Sequence, residues 1–191
     1  QTVSPQSVLF EILSPLGFHP SVIEDVKNGL DASSGKVFLS STHRLIKDRT
    51  YFLIDRIEKS ESNNQIYLIN AISHEISNPI CLDIKLIDVP ESILKNNKIL
   101  YADAGKLSFP LILRKWQAGD WFIPFGMKGK KKLSDFFTDQ KFNLKEKEQT
   151  WVLLSDEDVV WIVGYRPDER FKITSKTRNV LQIELKIDEN A

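Results

Sequence analysis

The sequence predicts an α+β fold that is strand-rich, with short helices packed on antiparallel or mixed sheets and two main subdomains. Short apolar segments of β type recur between polar turns along most of the chain. Apolar residues at helical spacing appear only in a few short stretches. The main subdomain boundary is predicted near Ala104 and Gly105, where the local excess of charge changes sign.

Residues 1–34 are predicted to form a short helical segment. Ser4 is a favourable N-cap and Pro5 a favourable first helical residue, and the apolar residues that follow keep helical spacing until Pro15. A second helix is predicted to begin at Pro20. The stretch "DASSGK" then predicts a loop that ends this segment.

Residues 35–105 are predicted to form a β-rich middle subdomain. "KDRTY" predicts the turn of a hairpin, and the polar stretch "EKSESNN" interrupts the strands. The proline in "VPESILKNN" predicts the start of one short helix. The predicted strands lie in "KVFLSS", "HRLIKD", "YFLIDRI", "QIYLINAI", "CLDIKLID" and "KILYADA".

Residues 106–191 are predicted to form a C-terminal α+β domain. Its centre is a predicted hairpin of residues 151–154 and 159–163 around the acidic turn "SDED", covered by a helix that contains Phe136 and Phe137. The apolar runs on both sides of this turn are too continuous for strands with one face in water. "FPLILRKW" and "NVLQIELKI" predict further strands, and "NLKEKEQT" predicts a second helix.

Composition excludes several classes of protein. No apolar run is long enough to span a membrane, so no membrane contact is predicted, and the cytoplasmic location is expected from the cysteine content. The single cysteine, Cys81, excludes an internal disulfide, fits a reducing compartment and is predicted to be buried in the core. His19, His43 and His74 are scattered without further ligands at metal-binding spacing, so no metal site is predicted.

The positive charge of this chain is concentrated in one region. The whole sequence has 26 basic and 26 acidic residues, but residues 106–149 contain ten basic residues against five acidic ones. Within this region, four lysines and two glycines fall in one loop: Lys128, Lys130, Lys131 and Lys132 with Gly126 and Gly129. A local excess of positive charge indicates a polyanionic partner. The net charge of zero does not argue against such a partner, because binding depends on the local charge distribution.

The loop is not a nucleotide-binding P-loop, because Lys131 stands where that motif requires Ser or Thr. Its glycines allow close approach of the backbone to a partner, and Arg114 and Lys115 lie upstream among aromatic residues. These features suit contact with a phosphodiester backbone. The alternative is a solvated surface turn with no partner.

Further candidates have structural alternatives. In the predicted turn at Gly119, Asp120 could orient Arg114 or a lysine, or could form an Asx turn. Asp135 is predicted to complement a helix N-terminus rather than to act in acid–base chemistry. A second basic group, Arg166, Arg170 and Lys172, could bind RNA or could pair internally with Asp168 and Glu169. No nucleophile–base pair is recognisable, so no catalytic residue is predicted.

Three segments resemble bacterial tRNA(Ile)-lysidine synthetases. "LILRKWQAGDWFIPFGMKGKKKLSDFFTDQK" resembles the family's C-terminal signature, and "VVWIVGYRPDERFKIT" is similar to the second half of that domain. "SGKVFLSSTHRLIKDRTYFLI" is similar to the family's middle region. The positions that fall on the family pattern are Arg114, Asp120, Lys128, Lys131, Lys132, Asp135 and Arg170, whereas Trp121 stands where the family usually has a basic residue.

The resemblance implies a function. These ligases adenylate the wobble cytidine of an isoleucine tRNA with ATP and then attach free lysine. Their nucleotide site is an N-terminal adenylating domain with a Ser-Gly-Gly-x-Asp-Ser loop, which is not found in these 191 residues. We therefore expect a C-terminal portion that is inactive alone, has no cofactor, and has tRNA(Ile) and the adenylating domain as partners.

The expected tRNA contacts are Arg114, Lys115, Lys128, Lys130, Lys131, Lys132, Arg166, Arg170 and Lys172, supported by orienting residues Gly119, Asp120, Gly126, Gly129 and Asp135. Two other functions remain open at this point. The chain could be a free-standing nucleic-acid-binding module, or a protein-interaction domain whose lysines are only solvated.

Overall fold

The computed structural model describes residues 4–57, 65–70 and 75–186. Its α-helices are α1 (Pro5–Leu13), α2 (Pro20–Asn28), α3 (Leu133–Asp139) and α4 (Leu144–Gln149). Its strands are β1 (Val37–Leu39), β2 (His43–Asp48), β3 (Tyr51–Arg56), β4 (Ile66–Ile69), β5 (Glu75–Ile76), β6 (Leu82–Asp88), β7 (Ile99–Asp103), β8 (Leu111–Lys115), β9 (Trp121–Phe122), β10 (Lys131–Lys132), β11 (Trp151–Ser155), β12 (Asp158–Ile162), β13 (Arg166–Pro167) and β14 (Asn179–Leu185). None of the helices in these residues is long and apolar enough to cross a membrane.

The first compact unit comprises Gln1–Glu61 and Asn143–Glu146. Helices α1 and α2 begin at prolines, as the sequence predicts, and β1, β2 and β3 form an antiparallel three-stranded sheet. Helix α2 buries Ile23 and Val26, which lie on one face because they are three residues apart. Helix α1 buries only Leu13, and its residues Val8, Phe10 and Ile12 are exposed. The core of this unit consists of Leu13, Phe18, Ile23, Val26, Phe38 and Leu45.

The second compact unit comprises Ser62–Phe142 and Lys147–Ala191. It contains a five-stranded sheet in the order β13-β12-β11-β8-β4 and a four-stranded sheet in the order β5-β6-β14-β7. Apolar residues of both sheets share one core, which includes Ile69, Leu82, Leu100, Leu113, Trp161 and Ile183. The two sheets therefore pack face to face, and this packing removes the inward face of each strand from water.

Helix α3 covers the other face of the five-stranded sheet. Phe136 and Phe137 pack there against Val152, Leu154 and Ile162 of the central hairpin. Strands β11 and β12 are consequently buried on both faces, which explains their continuous apolar sequence and confirms the predicted hairpin. The predicted strand-rich α+β class is also confirmed.

Two local predictions were wrong. The stretch "VPESILKNN" is irregular instead of helical, and its adjacent residues Ile93 and Leu94 are exposed. A short helix needs a packed face, and two neighbouring apolar residues do not provide one. Cys81 is half-exposed instead of buried, because it precedes β6 and lies outside the regular part of the sheet.

The two compact units also differ from the predicted division at residues 34/35 and 104/105. Strand β4 pairs with β8, and β7 pairs with β14, so both ladders join segments on opposite sides of Ala104 and Gly105. Strands β4 and β7 of the predicted middle region and strands β8 and β14 of the predicted C-terminal region thus belong to the second compact unit. The change in local charge near Ala104 marks a surface property, and it does not mark a break in the core.

Candidate nucleic-acid interface

The lysine loop, residues 126–132, projects from a two-stranded ribbon. Strands β9 and β10 pair so that Lys131 lies opposite Phe122 and Lys132 lies opposite Trp121. The backbone N–H of Leu133 donates to the Asp120 carbonyl at 2.9 Å and closes the ribbon beside α3. Because its two ends are held together in this way, the loop has a fixed starting point and a fixed end on the second compact unit.

Asp168 holds the start of this projection. Its carboxylate is buried and accepts a hydrogen bond from the backbone N–H of Ile123 at 2.7 Å. The same carboxylate accepts three more from Arg170: the backbone N–H at 2.7 Å, Nε at 2.9 Å and Nη2 at 2.8 Å. A buried carboxylate needs such a set of donors to remain charged. Asp168 therefore joins the "RPDER" segment to the strand that leads into the loop.

Neighbours of Asp168 extend this attachment. A carboxylate oxygen of Glu169 accepts from the backbone N–H of Gly126 at 2.7 Å, and Arg166 Nη2 donates to the Phe125 carbonyl at 2.6 Å. Lys172 pairs with Glu169, and this hydrogen bond holds the pKa of Glu169 below its usual range. The sequence analysis identified the lysine loop and the "RPDER" segment separately. No local pattern in the sequence indicated that the "RPDER" segment anchors the loop.

Arg170 is engaged by carboxylates. Besides Asp168, it contacts Asp158 at 2.6 Å, and the hydrogen bond with Asp168 is the main cause of its raised pKa. Its Cζ also lies 4.7 Å from the centre of the Trp121 ring. The internal pairing that the sequence left open for Arg170 is thus present.

Arg114 has a similar position. Its guanidinium forms a bidentate ion pair with Asp120, with both N–O distances at 2.8 Å, and both side chains are largely buried. Asp120 also accepts from the backbone N–H of Gln117 at 2.7 Å, so it orients Arg114 and shapes the turn at once. This turn needs glycine at position 119, where φ is +101°.

The four lysines of the loop fall into two pairs. Lys130 Nζ lies 3.7 Å from the centre of the Trp121 ring, and Lys131 forms an ion pair with Asp139. The side chains of Lys128 and Lys132 are exposed, and neither side chain forms an ion pair or hydrogen bond within the described part of the chain. Lys128 and Lys132 are therefore the loop cations most available to an outside anion.

Trp121 contacts both the lysine loop and the "RPDER" segment, because Lys130 of the loop and Arg170 of that segment lie over its ring. Cation–π contacts of this kind are worth about 0.5–1 kcal/mol at exposed sites. The residue that departs from the family pattern thus contributes an aromatic surface where the two segments meet.

The remaining predicted residues have local roles. Lys115 donates to the Gln149 carbonyl at 2.8 Å and lies 4.3 Å from the centre of the Trp151 ring, where burial lowers its pKa to about 8. Asp135 lies in the first turn of α3, as predicted. Gly126 has a φ of +85°, which a side chain would strain, and Gly129 is exposed.

Within the described residues, no group of three or more His, Cys, Asp or Glu side chains is arranged to hold a metal ion. The arrangement observed is a hydrogen-bonded support that displays lysine side chains. It suits electrostatic binding of a polyanion.

Comparisons with known proteins match most of the chain. Residues 1–57 match the family model described as "TilS substrate binding domain", and residues 111–185 match "TilS substrate C-terminal domain". The chain is 48% identical over 181 residues to a tRNA(Ile)-lysidine synthase of Parabacteroides distasonis, covering 93% of this chain and 41% of the relative. It is 39% identical to that of Bacteroides thetaiotaomicron, covering 93% of this chain and 39% of the relative.

The chain thus spans about 40% of the length of these curated relatives. A solved structure described as "Crystal structure of TILS C-terminal domain" matches with a TM-score of 0.54 and 18% identity. The match covers 65% of this chain and 100% of that structure, and it supports the fold alone.

Proposed function

The chain belongs to the tRNA(Ile)-lysidine synthase family, and from this membership we propose that it is the tRNA-binding portion of a lysidine-forming ligase. The complete enzyme would use ATP to attach lysine to the wobble cytidine of an isoleucine tRNA, in the cytoplasm. ATP and lysine would be substrates of an adenylating domain in the same polypeptide, and this portion would hold the RNA.

The observation that carries this proposal is the anchored lysine loop. Four lysines project from a ribbon whose base is fixed by buried Asp168, and Lys128 and Lys132 have no ion pair within the described residues. Lysine is a flexible point charge, so these side chains suit phosphate oxygens better than base edges. The loop would therefore position the tRNA without reading its sequence.

Arg114 and Arg170 receive a different role in this proposal. Both were predicted as tRNA contacts, and both hold carboxylates in the structure. We assign them to positioning the loop, because a phosphate would have to compete with a bidentate or multiply bonded ion pair. Direct RNA contact by either side chain stays a prediction, as do the contacts of Lys115, Arg166 and Lys172.

The proposal predicts salt-sensitive tRNA binding by the 191-residue chain. In a filter-binding titration with an isoleucine tRNA transcript, log K should fall linearly with log salt, because bound lysines release counterions from the RNA. Absence of binding, or binding that does not respond to salt, would favour a protein-interaction domain instead.

The proposal also predicts that the purified chain neither adenylates tRNA nor forms lysidine. None of the described residues form a phosphate-cradling glycine loop at a helix N-terminus, the kind of site that holds nucleotide phosphates in many enzymes. The test is incubation with labelled ATP, lysine and tRNA, with the complete family enzyme as the positive control. Product formation by the chain would contradict the assignment.

A further inference from the structure

A cavity of about 370 Å³ lies beside the start of the lysine loop. Its volume is near the lower end of the ~300–1,000 Å³ range that is typical of small-molecule sites. A cavity of this size is too small to hold a folded partner. Residues of the irregular stretch after β6, of β7 and of the "RPDER" region form its walls. Those that matter here are Leu94, Tyr101, Phe125, Phe171, Arg166 and Lys172.

The walls are mainly apolar and partly aromatic. Leu94 is 63% exposed and Phe125 is 46% exposed, so apolar surface in this cavity is open to solvent. Tyr101 and Phe171 add aromatic rings deeper in the unit. A flat, weakly polar ring system would cover such surface, and the four nucleobases have this property in common.

The charges around the cavity favour an anion. Lys95 and Arg166 line it, and Lys172, which also lines it, is paired with Glu169. The carboxylate among the lining residues, Asp168, already accepts four hydrogen bonds from Ile123 and Arg170. Arg166 donates one of its five N–H groups to the Phe125 carbonyl, and the others remain for a ligand. An occupant with both an aromatic ring and a negative charge matches these walls.

The cavity is continuous with the lysine loop along the chain. Phe125 lines the cavity and directly precedes Gly126, the first residue of the loop. Arg166, which lines the cavity, holds the carbonyl of Phe125. An RNA strand whose phosphates contact Lys128 would thus have a neighbouring nucleotide within reach of this opening.

We propose that this cavity accepts one unstacked nucleotide of the bound RNA, with its base against Phe125 and Leu94 and its phosphate at Arg166. The inference rests on the proposed RNA binding and adds a specific preference to it. Single-stranded nucleotides are recognised in this way, by stacking on aromatic side chains beside cations. A fully paired stem would leave the cavity empty.

The test compares two RNA hairpins with the same stem, one blunt and one with a short single-stranded extension that contains 2-aminopurine. The 191-residue chain should bind the extended hairpin about tenfold more tightly, within the roughly fivefold to hundredfold range of one base stacked on an aromatic side chain. Phe125→Ala and Leu94→Ala should each remove most of this advantage and leave affinity for the blunt hairpin unchanged. The quenching of 2-aminopurine fluorescence by the wild-type chain should be lost in Phe125→Ala.

Leu68→Ala is the matched control, because Leu68 is 61% exposed and lies on β4, outside the cavity lining. It should keep the full advantage of the extension. Equal, salt-sensitive binding of both hairpins by the wild type would overturn the cavity assignment and leave the proposed function intact. Binding of neither hairpin would overturn both, and an advantage that survives Phe125→Ala and Leu94→Ala would overturn the cavity assignment alone.

Discussion

Replacing Asp168 with alanine should lower the free energy of unfolding by about 3–5 kcal/mol, the usual cost of removing one partner of a buried ion pair. The Asp168 side chain is fully buried and accepts four hydrogen bonds, one of which holds the strand that leads into the lysine loop. Without this carboxylate, the backbone N–H of Ile123 loses its acceptor, and Arg170 keeps Asp158 as its remaining carboxylate partner. Asp168→Asn keeps the shape and should have a smaller effect.

Urea unfolding followed by tryptophan fluorescence measures this effect. All four tryptophans, Trp116, Trp121, Trp151 and Trp161, belong to the second compact unit, so the signal reports the unit that contains Asp168. The control is Asp139→Ala, which removes an exposed carboxylate paired with Lys131 and should change stability by less than about 1 kcal/mol. If Asp168→Ala were as mild as this control, the anchoring role of Asp168 would be wrong.

Removing the loop lysines should weaken tRNA binding strongly and change its dependence on salt. If all four lysines contact phosphates, joint substitution of Lys128, Lys130, Lys131 and Lys132 by alanine should flatten log K against log salt by roughly 2.8–3.6 units, at about 0.7–0.9 per contact. The double variant of Lys128 and Lys132 alone should flatten it by roughly 1.4–1.8 units. Similar values for both variants would mean that Lys130 and Lys131 remain with Trp121 and Asp139 in the complex.

The matched control is a double variant of Lys85 and Lys98, which removes the same charge from exposed positions of the second unit outside the loop. Its slope should stay close to that of the wild type. Melting curves of all variants should nearly coincide, because exposed lysines and surface ion pairs such as that of Lys131 contribute little to stability. Equal slopes in the wild type and the four-lysine variant would reduce the loop to a solvated turn.

The elements whose signals lie in consecutive residues of the sequence were predictable. Helices α1 and α2 begin at prolines, and strands β11 and β12 flank the acidic turn, because a cap, a turn or an apolar period is written in consecutive residues. The stretch "VPESILKNN" was not predictable in this way. Its proline suits a helix start, but the absence of a packed apolar face decides against a helix.

The sequence by itself determined the strand-rich class, the central hairpin and the presence of a lysine loop in a neutral chain, since these follow from composition and local spacing. Only the tertiary structure decided that β7 pairs with β14 and that Asp168 anchors the loop, because partners distant along the chain leave no local pattern. It also decided what Arg114 and Arg170 contact. An arginine has the same charge whether it faces a phosphate or a carboxylate, and only the fold brings Asp120 and Asp158 within reach of these two side chains.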